Sequence, residues 1–420
     1  EYPAVRFMTV SDIHHLSRSL WEEGPAFDRF LETNDGKMIV EGSRLLSALV
    51  EASRKESPDF LVVTGDLTTN GAVASHRKVA EALERIENVG VPVYVIPGNH
   101  DINNPWASSF KEREAQVPRV TAERFPKLYA DLGYAEAIER GPDDLSYLVE
   151  PVPGLWLLLL DTNIYNQNME EGYPRSGGAL SVEQRAWIED VLDRALGEGR
   201  AVIPFAHHSL ISHSGGRGGY RDLSRVIDEW PRNTRMFWDR GAPIAFTGHI
   251  HAQDVAAIRG EEGEWIYDIT TGAFSIYPHS YRIVEVTDRQ RLALGGGRLE
   301  PGELGSGGRQ FLLDSRQLYL RTFVERHHDR LAEQSGESES RSRRMAWYPA
   351  LLSLAHLAGE EQGALQESIA PDVVAEIRQH APAQLESYNR WMARDDPPLD
   401  NDIEIDLTTG KWRSMRASSP

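Results

Sequence analysis

The sequence predicts an α/β fold followed by a helical C-terminal region. Three observations lead there. Short apolar runs of strand length recur from residue 5 to residue 286, each closed by turn residues. Segments of helical composition and spacing lie between them, the alternation that builds α/β layers. Beyond residue 310 the strand pattern gives way to amphipathic helical stretches.

The strands come in order. Val5–Val10 runs into Ser11-Asp12, Phe60–Thr64 into Gly65-Asp66, and Val91–Pro97 into Gly98-Asn99-His100-Asp101. Ala201–Ala206 leads to His207-His208, and Pro243–Thr247 to Gly248-His249. Leu155–Leu160 (into Asp161), Trp265–Thr270 and Tyr281–Val286 add three more. Ala48–Lys55, Ala74–Val89 and Ser181–Leu196 read as helices, the last opened by the capping-box pair Ser181 and Gln184. Ligands in such folds gather beyond the carboxyl ends of strands, where every polar cluster above falls.

Residues 287–309, Gly-rich and interrupted by Pro, read as a last irregular strand plus linker. Gln310–Glu333, Met345–Leu357, Val373–His380 and Gln384–Met392 carry helical patterns, Ser335–Arg344 reads as a solvated loop, and Ile403–Arg413 as a strand or extended tail. The expected division is a main domain over residues 1–300 and a helical domain over residues 310–420.

Composition narrows the chemistry. The chain has 420 residues, enough for a large core, with 40% hydrophobic and 26% charged residues, ordinary values for a globular protein. It has no cysteine, which excludes disulfides, a thiolate metal site and a cysteine nucleophile, and any metal must be held by His, Asp, Glu and Asn. A net charge of −19 argues against a stable nucleic-acid partner. It tolerates a small anion where metal ions supply local positive charge. The longest apolar run, Leu155–Leu160, is too short to span a membrane. The first residue is Glu1 rather than Met, so the expectation is an extracytoplasmic location if a leader was removed and a cytoplasmic one otherwise.

Five motifs carry the chemistry. Asp12-Ile13-His14 in an extended segment would point two ligands to one side. Asp66, at a strand end after Gly65, can approach two ions. Gly98-Asn99-His100 offers an amide oxygen and an imidazole on a tight turn. In His207-His208 neighbours face opposite ways, so one of the two binds metal. His249-Ile250-His251 repeats the two-apart arrangement. Each motif alone is weak. Together, in this order and each at a strand end, they specify a metal site, because so many His and Asp converging in one pocket would be costly to bury without cations.

The series Asp-x-His, Gly-Asp, Gly-Asn-His-Asp, His and Gly-His-x-His resembles the calcineurin-like metallophosphoesterase superfamily over about residues 5–286. The resemblance implies two packed mixed β-sheets flanked by helices, a four-layer sandwich. It implies one divalent ion on Asp12, His14 and His251, a second on Asn99, His207 and His249, and Asp66 bridging them. A sulfur-free nitrogen and oxygen set suits manganese or iron, and then zinc. His207 is preferred over His208, although no proline follows the pair. Leu67, Thr68 and Thr69 stand where the purple acid phosphatase branch needs a tyrosine, which disfavours that branch.

The insert HHLSRSLWEEGPAFDRFLETNDGK and the stretches PGNHDINNPWA, LLLLDTNIY, GHIHAQ and TGAFSIYPHSY are similar to a narrower group, the two-domain bacterial cyclic-nucleotide phosphodiesterases with a helical C-terminal domain. That similarity implies hydrolysis of small phosphodiesters, cyclic nucleotides (3',5' and/or 2',3') first. A water clamped by two ions, its pKa lowered towards about 7, would attack phosphorus. His100 would protonate the leaving alkoxide and Asp101 would orient His100. The alternatives are a phosphomonoesterase or nucleotide pyrophosphatase on the same site, and a non-catalytic metal-binding scaffold; a nuclease fits the acidic balance less well. Asn70, His208 and His279 are candidate substrate contacts, and Tyr165, Tyr220, Phe274 and Tyr277 candidate base-stacking groups. His327 and His328 read as inert residues of a surface helix. The partner expected is a small phosphodiester, a nucleotide first, with homo-oligomers left open.

Overall fold

The computed structural model describes residues 1–213, 225–361, 371–391 and 397–416. Its centre is a pair of seven-stranded mixed sheets. The first runs, in spatial order, Val93–Ile96, Phe60–Thr64, Val5–Val10, Ser280–Thr287, Arg291–Arg298, Ile403–Asp406 and Trp412–Ser414. Its first three strands are parallel and the remaining four are added antiparallel. The second runs Glu139–Arg140, Tyr147–Val152, Leu155–Leu160, Ala201–Ala206, Ile244–Thr247, Trp265–Thr270 and Asp254–Arg259, with its four strands from Leu155–Leu160 to Trp265–Thr270 parallel.

Parallel strands covered on both faces need apolar side chains at nearly every position, which is why these runs were so visible in the sequence. The alternation within Leu155–Leu160 sorts the faces. Leu155, Leu157 and Leu159 enter the core between the sheets, while Trp156, Leu158 and Leu160 join Ile188, Val191 and Phe237 beneath the outer helices. Between the sheets, Phe7 stacks on Phe60 at 5.0 Å and meets Phe246 of the second sheet edge-on at 5.1 Å. Each such fully buried side chain stabilises the fold by about 1.5–3 kcal/mol.

Helices Gly42–Glu56 and Val73–Glu87 cover the outer face of the first sheet through Leu45, Leu49 and Leu83. Val182–Glu198 and Trp230–Trp238 cover the second. The layers are therefore helix, sheet, sheet, helix. Val182–Glu198 begins with the expected capping box: Ser181 Oγ accepts from the Gln184 amide at 3.0 Å, and Gln184 Oε1 from the Ser181 amide at 2.8 Å.

The C-terminal region departs from the sequence reading in two places. The Gly-rich segment after residue 287 contains a regular strand, Arg291–Arg298, rather than an irregular one. Its glycines make room for neighbours: a Cβ at Gly297 would lie 2.1 Å from the Tyr281 ring and one at Gly296 2.3 Å from Asn401. The polar stretch 335–344 holds most of a helix, Glu339–Met345, because Ser342 and Met345 turn one face into the bundle. The stretch read as a strand or extended tail does form strands: Ile403–Asp406 and Trp412–Ser414 join the first sheet, where Ile403–Asp406 lies against Arg291–Arg298 and pairs Leu292 with Ile405 and Leu294 with Ile403.

Between those strands lie Gly308–Ser335, Trp347–Ala358, Pro371–His380 and Pro382–Trp391 along with Glu339–Met345. Met392, read as the end of the last of these, lies outside the described residues. Leu320, Val324, Leu331, Leu352 and Ile377 form their own core and pack on Ala273 and Ile276. Among the described residues no helix is long and apolar enough to cross a membrane.

Candidate metal centre

Each of the five motifs follows a strand directly, at the carboxyl ends of the parallel strands of both sheets. The backbone there is not extended, which corrects the sequence reading. Asp12, His14, Asp66, His249 and His251 have φ of 55°, 44°, 47°, 68° and 64°, all left-handed. Such a conformation costs a non-glycine residue about 1–2 kcal/mol, and clusters of it occur where surrounding structure over-determines the backbone. The turns hold one another: the Asp12 amide donates to Gly65 O at 3.1 Å and the His14 amide to Asp66 O at 2.8 Å. Gly98 and Gly248 permit this closeness, since a Cβ would come within 2.2 Å of Asp66 Oδ1 at the first and 1.9 Å of Ser11 Oγ at the second.

The side chains meet in two groups. Asp12, His14, Asp66 and His251 form one; Asp66, His207 and His249 form the other. Asn99 belongs with the second, its Oδ1 lying 3.2 Å from His207 Nε2. All seven residues read as ligands are thus brought together, and Asp66 stands in both groups. One oxygen serves both sides: Asp66 Oδ2 is 3.5 Å from His14 Nε2 and 3.5 Å from His207 Nε2.

These spacings fit cations. Ligands about 2.1 Å from a metal sit about 3.0 Å apart at an octahedral edge and about 3.4 Å apart at a tetrahedral one. In the first group His14 Nε2 lies 3.1 Å from His251 Nε2, and Asp12 Oδ1 lies 3.3 Å from His251 Nε2 and 3.7 Å from His14 Nε2. In the second, His207 Nε2 lies 3.2 Å from His249 Nδ1. Asp12 Oδ1 is buried without a hydrogen-bond donor, which a cation would remedy. His207 is aimed by its far nitrogen, Nδ1–H donating to Thr64 O at 2.8 Å and leaving Nε2 for the cage.

The charges are strongly coupled. Burial raises the Asp66 pKa, but His207, His100 and His14 outweigh it and hold the carboxyl well below the usual range. Asp12 is lowered too, burial being overcome by His251 and His207. For His207, burial favours the neutral ring, yet Asp66 and Asp12 lift its pKa to about 9.

The remaining candidates divide. His100 lies beside the cage, its ring 5.1 Å from that of His14 at 83°. Its Nδ1–H donates to Thr69 O at 2.8 Å. Asp101 does not orient it. The Asp101 carboxylate is spent on the amides of Gly98 (2.9 Å), Leu67 (3.0 Å) and Thr68 (2.9 Å) and on the Thr68 hydroxyl, bracing the Asp66 turn against the Asn99 turn. His208 packs behind His249, with Nδ1 bonded to Thr162 Oγ1 at 2.8 Å. Asn70 donates to Ser108 O at 3.2 Å, and its buried Oδ1 has no hydrogen-bond partner.

His279 is no phosphate contact. It is fully buried, Nδ1 meeting Phe274 O at 2.9 Å and Nε2 meeting Ser315 Oγ at 2.8 Å, so it docks the long helix Gly308–Ser335. Phe274 is core, and Tyr165 and Tyr277 are half-buried against apolar clusters. Tyr220 lies outside the described residues. His327 and His328 are buried rather than on a surface, because the helices after them pack over that face.

Two residues near the cage lie within stretches that carry the narrower resemblance, yet the sequence reading assigned neither of them a role. Lys37, from the long insert, is mostly buried, with its ammonium 3.9 Å from Asp35 Oδ2 and its charge felt by His14, Asp66 and Asp12. Asp35 in turn pairs with Arg326 of the long C-terminal helix. Trp106 stands next to His100, with ring centroids 6.5 Å apart. A lone Lys in a polar insert and a lone Trp in a loop have nothing in their spacing to mark them.

Residues 5–253 match the family model described as calcineurin-like phosphoesterase. The chain is similar to a probable glycerophosphodiester phosphodiesterase, GpdQ, of Arcobacter nitrofigilis, 27% identical over 154 residues, 37% of this chain and 43% of that protein. It is also similar to a probable cyclic nucleotide phosphodiesterase of Vesicomyosocius okutanii, 28% identical over 85 residues, 20% of this chain and 35% of that protein. The chain thus spans less than half the length of these curated relatives. Among solved structures it resembles a dimetal phosphatase from Danio rerio, with a TM-score of 0.49 and 15% identity, covering 71% of this chain and 98% of that one.

Proposed function

This chain belongs to the calcineurin-like phosphoesterase family, and we propose that it is a metal-dependent hydrolase of small phosphodiesters, cyclic nucleotides (3',5' and/or 2',3') first. The observation that carries the proposal is the double cage on Asp66, with His100 at its edge. Asp12, His14, His251 and Asp66 would hold one divalent cation; Asn99, His207, His249 and Asp66 the other. When bound, such a pair supplies Lewis acidity at the phosphoryl group and lowers the pKa of water. The donor set, nitrogen and oxygen without sulfur, suits manganese, iron or zinc.

The chain's own residues supply the rest. Nδ1–H of His100 donates to the carbonyl of Thr69, so in the imidazolium form of the ring the Nε2 proton is the one that would pass to the departing alkoxide. Asp101 holds the turns of Asp66 and Asn99 in register. The shared Oδ2 of Asp66 keeps the two cation positions adjacent.

Both relatives are named for diester hydrolysis, of glycerophosphodiesters and of cyclic nucleotides, which supports a diester over a monoester. The test compares bis(p-nitrophenyl) phosphate with p-nitrophenyl phosphate on protein reconstituted with manganese, iron or zinc, followed by cyclic nucleotides and glycerophosphodiesters. A preference for the diester is expected; a strong preference for the monoester would overturn the reading.

A further inference from the structure

We propose that Trp106 is the seat for the group that leaves phosphorus, and that this group carries an aromatic base, as a nucleoside does and glycerol does not. The inference rests on the phosphodiesterase reading above and adds the substrate's organic part to it.

Trp106 is 49% exposed, an unusual position for so large an apolar side chain beside a deep polar site. It is not loose. Its backbone amide donates to Asn104 Oδ1 at 2.9 Å, and Asn104 Nδ2 donates to the carbonyl of His100 at 2.9 Å. Its indole N–H donates to Gly172 O at 3.1 Å. Both ends are therefore fixed, one of them through the Asn104 side chain to the backbone of His100. With the only polar atom of the ring engaged, what Trp106 offers is an aromatic face already ordered, so that stacking on it immobilises no free side chain. Tyr173, next to Gly172 in the chain, is also 49% exposed.

The rings of His14, His100 and Trp106 follow one another at 5.1 and 6.5 Å, from ligand to acid to rim. In the proposed reaction the oxygen of a water that has lost a proton to solvent bonds to phosphorus as the P–O bond to the alcohol breaks; the electron pair goes to the leaving oxygen, which takes the Nε2 proton of the imidazolium form of His100, and the ring regains a proton from solvent. The carbon skeleton on that oxygen must then lie within a few ångströms of His100, which places it against Trp106. A purine or pyrimidine presents a flat π-face to the indole and gains by stacking; an aliphatic alcohol has no such face.

The test uses the full, metal-loaded chain and the variants Trp106→Ala and Trp106→Phe. kcat/KM is measured for 2',3'-cyclic AMP, 3',5'-cyclic AMP and glycerophosphoethanolamine, and binding of adenosine 5'-monophosphate is measured by calorimetry. Trp106→Ala is expected to lower the ratio of nucleotide to aliphatic kcat/KM about tenfold, mostly through KM, and to weaken adenosine monophosphate binding to a similar degree, with Trp106→Phe restoring most of both. An unchanged ratio together with unchanged binding would overturn the inference and leave the diesterase reading standing. A wild-type chain that hydrolyses no diester would overturn that reading instead, and the binding measurement would then decide the role of Trp106 alone.

Discussion

The backbone amide of His100 donates to Oδ1 of Asp66 over 2.9 Å. That bond occupies one oxygen of the shared carboxylate and turns the other, Oδ2, toward both His14 and His207. His100 at the rim and Asp66 at the centre are thereby tied by a single contact between two turns that lie far apart in sequence.

Replacing the bridge should uncouple the two cation positions. Asp66→Asn keeps the size and the acceptor oxygen but removes the charge that both positions share. Bound metal, measured by mass spectrometry after gel filtration, is expected to fall from two ions per chain to one or fewer. Turnover is expected to drop by roughly a thousandfold or more, with the far-ultraviolet spectrum unchanged. Retention of two ions and full turnover would refute the bridging assignment.

If His100 is the acid, its importance must depend on what leaves. His100→Asn is expected to slow hydrolysis of a diester with an alkyl leaving group by about 10²–10³-fold, and that of a p-nitrophenyl ester by about tenfold or less, because nitrophenolate needs no proton. A plot of log kcat against leaving-group pKa should therefore steepen in the variant; parallel plots would rule the role out.

Metal uptake should release a proton. In the metal-free chain the carboxylates of Asp66 and Asp12 raise His207 to about 9 against the opposing effect of burial, so at neutral pH a cation must displace a proton from its Nε2. Apparent affinity should rise with pH, approaching tenfold per unit, and level off above about 9. Competition titration with a chelator of known pH behaviour measures this. A flat profile from pH 7 to 9 would contradict it.

The buried histidine of the helix interface should make the fold acid-sensitive. Burial lowers the pKa of His279 to about 4, against an ordinary value near 6.5. The folded state thus prefers the neutral ring, so this stabilisation is complete above about pH 6.5 and is lost as pH falls towards about 4. His15 and His76, lowered by burial to about 4 and about 3, act in the same direction. His279→Asn should cost roughly 1–3 kcal/mol at pH 7 through its lost hydrogen bonds, and should make Tm fall less steeply between pH 6.5 and 4. An unchanged slope would remove His279 from that account.

Much of the cage was legible because the residues read as ligands come directly after strands buried on both faces, so that five apolar runs each hand over to a polar motif. The preference for His207 over His208 came from the family resemblance, and it is His207 that lies with Asp66 and His249. What spacing could not convey was the backbone: extended geometry explains two-apart ligands on paper, whereas Asp12, His14, His249 and His251 reach their places through left-handed turns. Nor could it convey partners distant in sequence. Asp101 is engaged by amides of the Asp66 loop, and His279 by Ser315 of a helix that reads as belonging elsewhere. The helix Glu339–Met345 was hidden by its Ser, Glu and Arg content, since only Ser342 and Met345 among its residues are buried.

The return of Ile403–Asp406 to the edge of Arg291–Arg298 has a consequence for anyone cutting the gene. Leu294 and Ile403 are cross-strand neighbours, about 5 Å apart, although the whole helical region lies between them in sequence. That region is a loop spliced into a hairpin, with both of its ends pinned to one place on the sheet. A stop codon near residue 300 would strip two strands and bare a glycine-rich edge. Excising the helices and rejoining the two strands with a short turn would leave that edge paired.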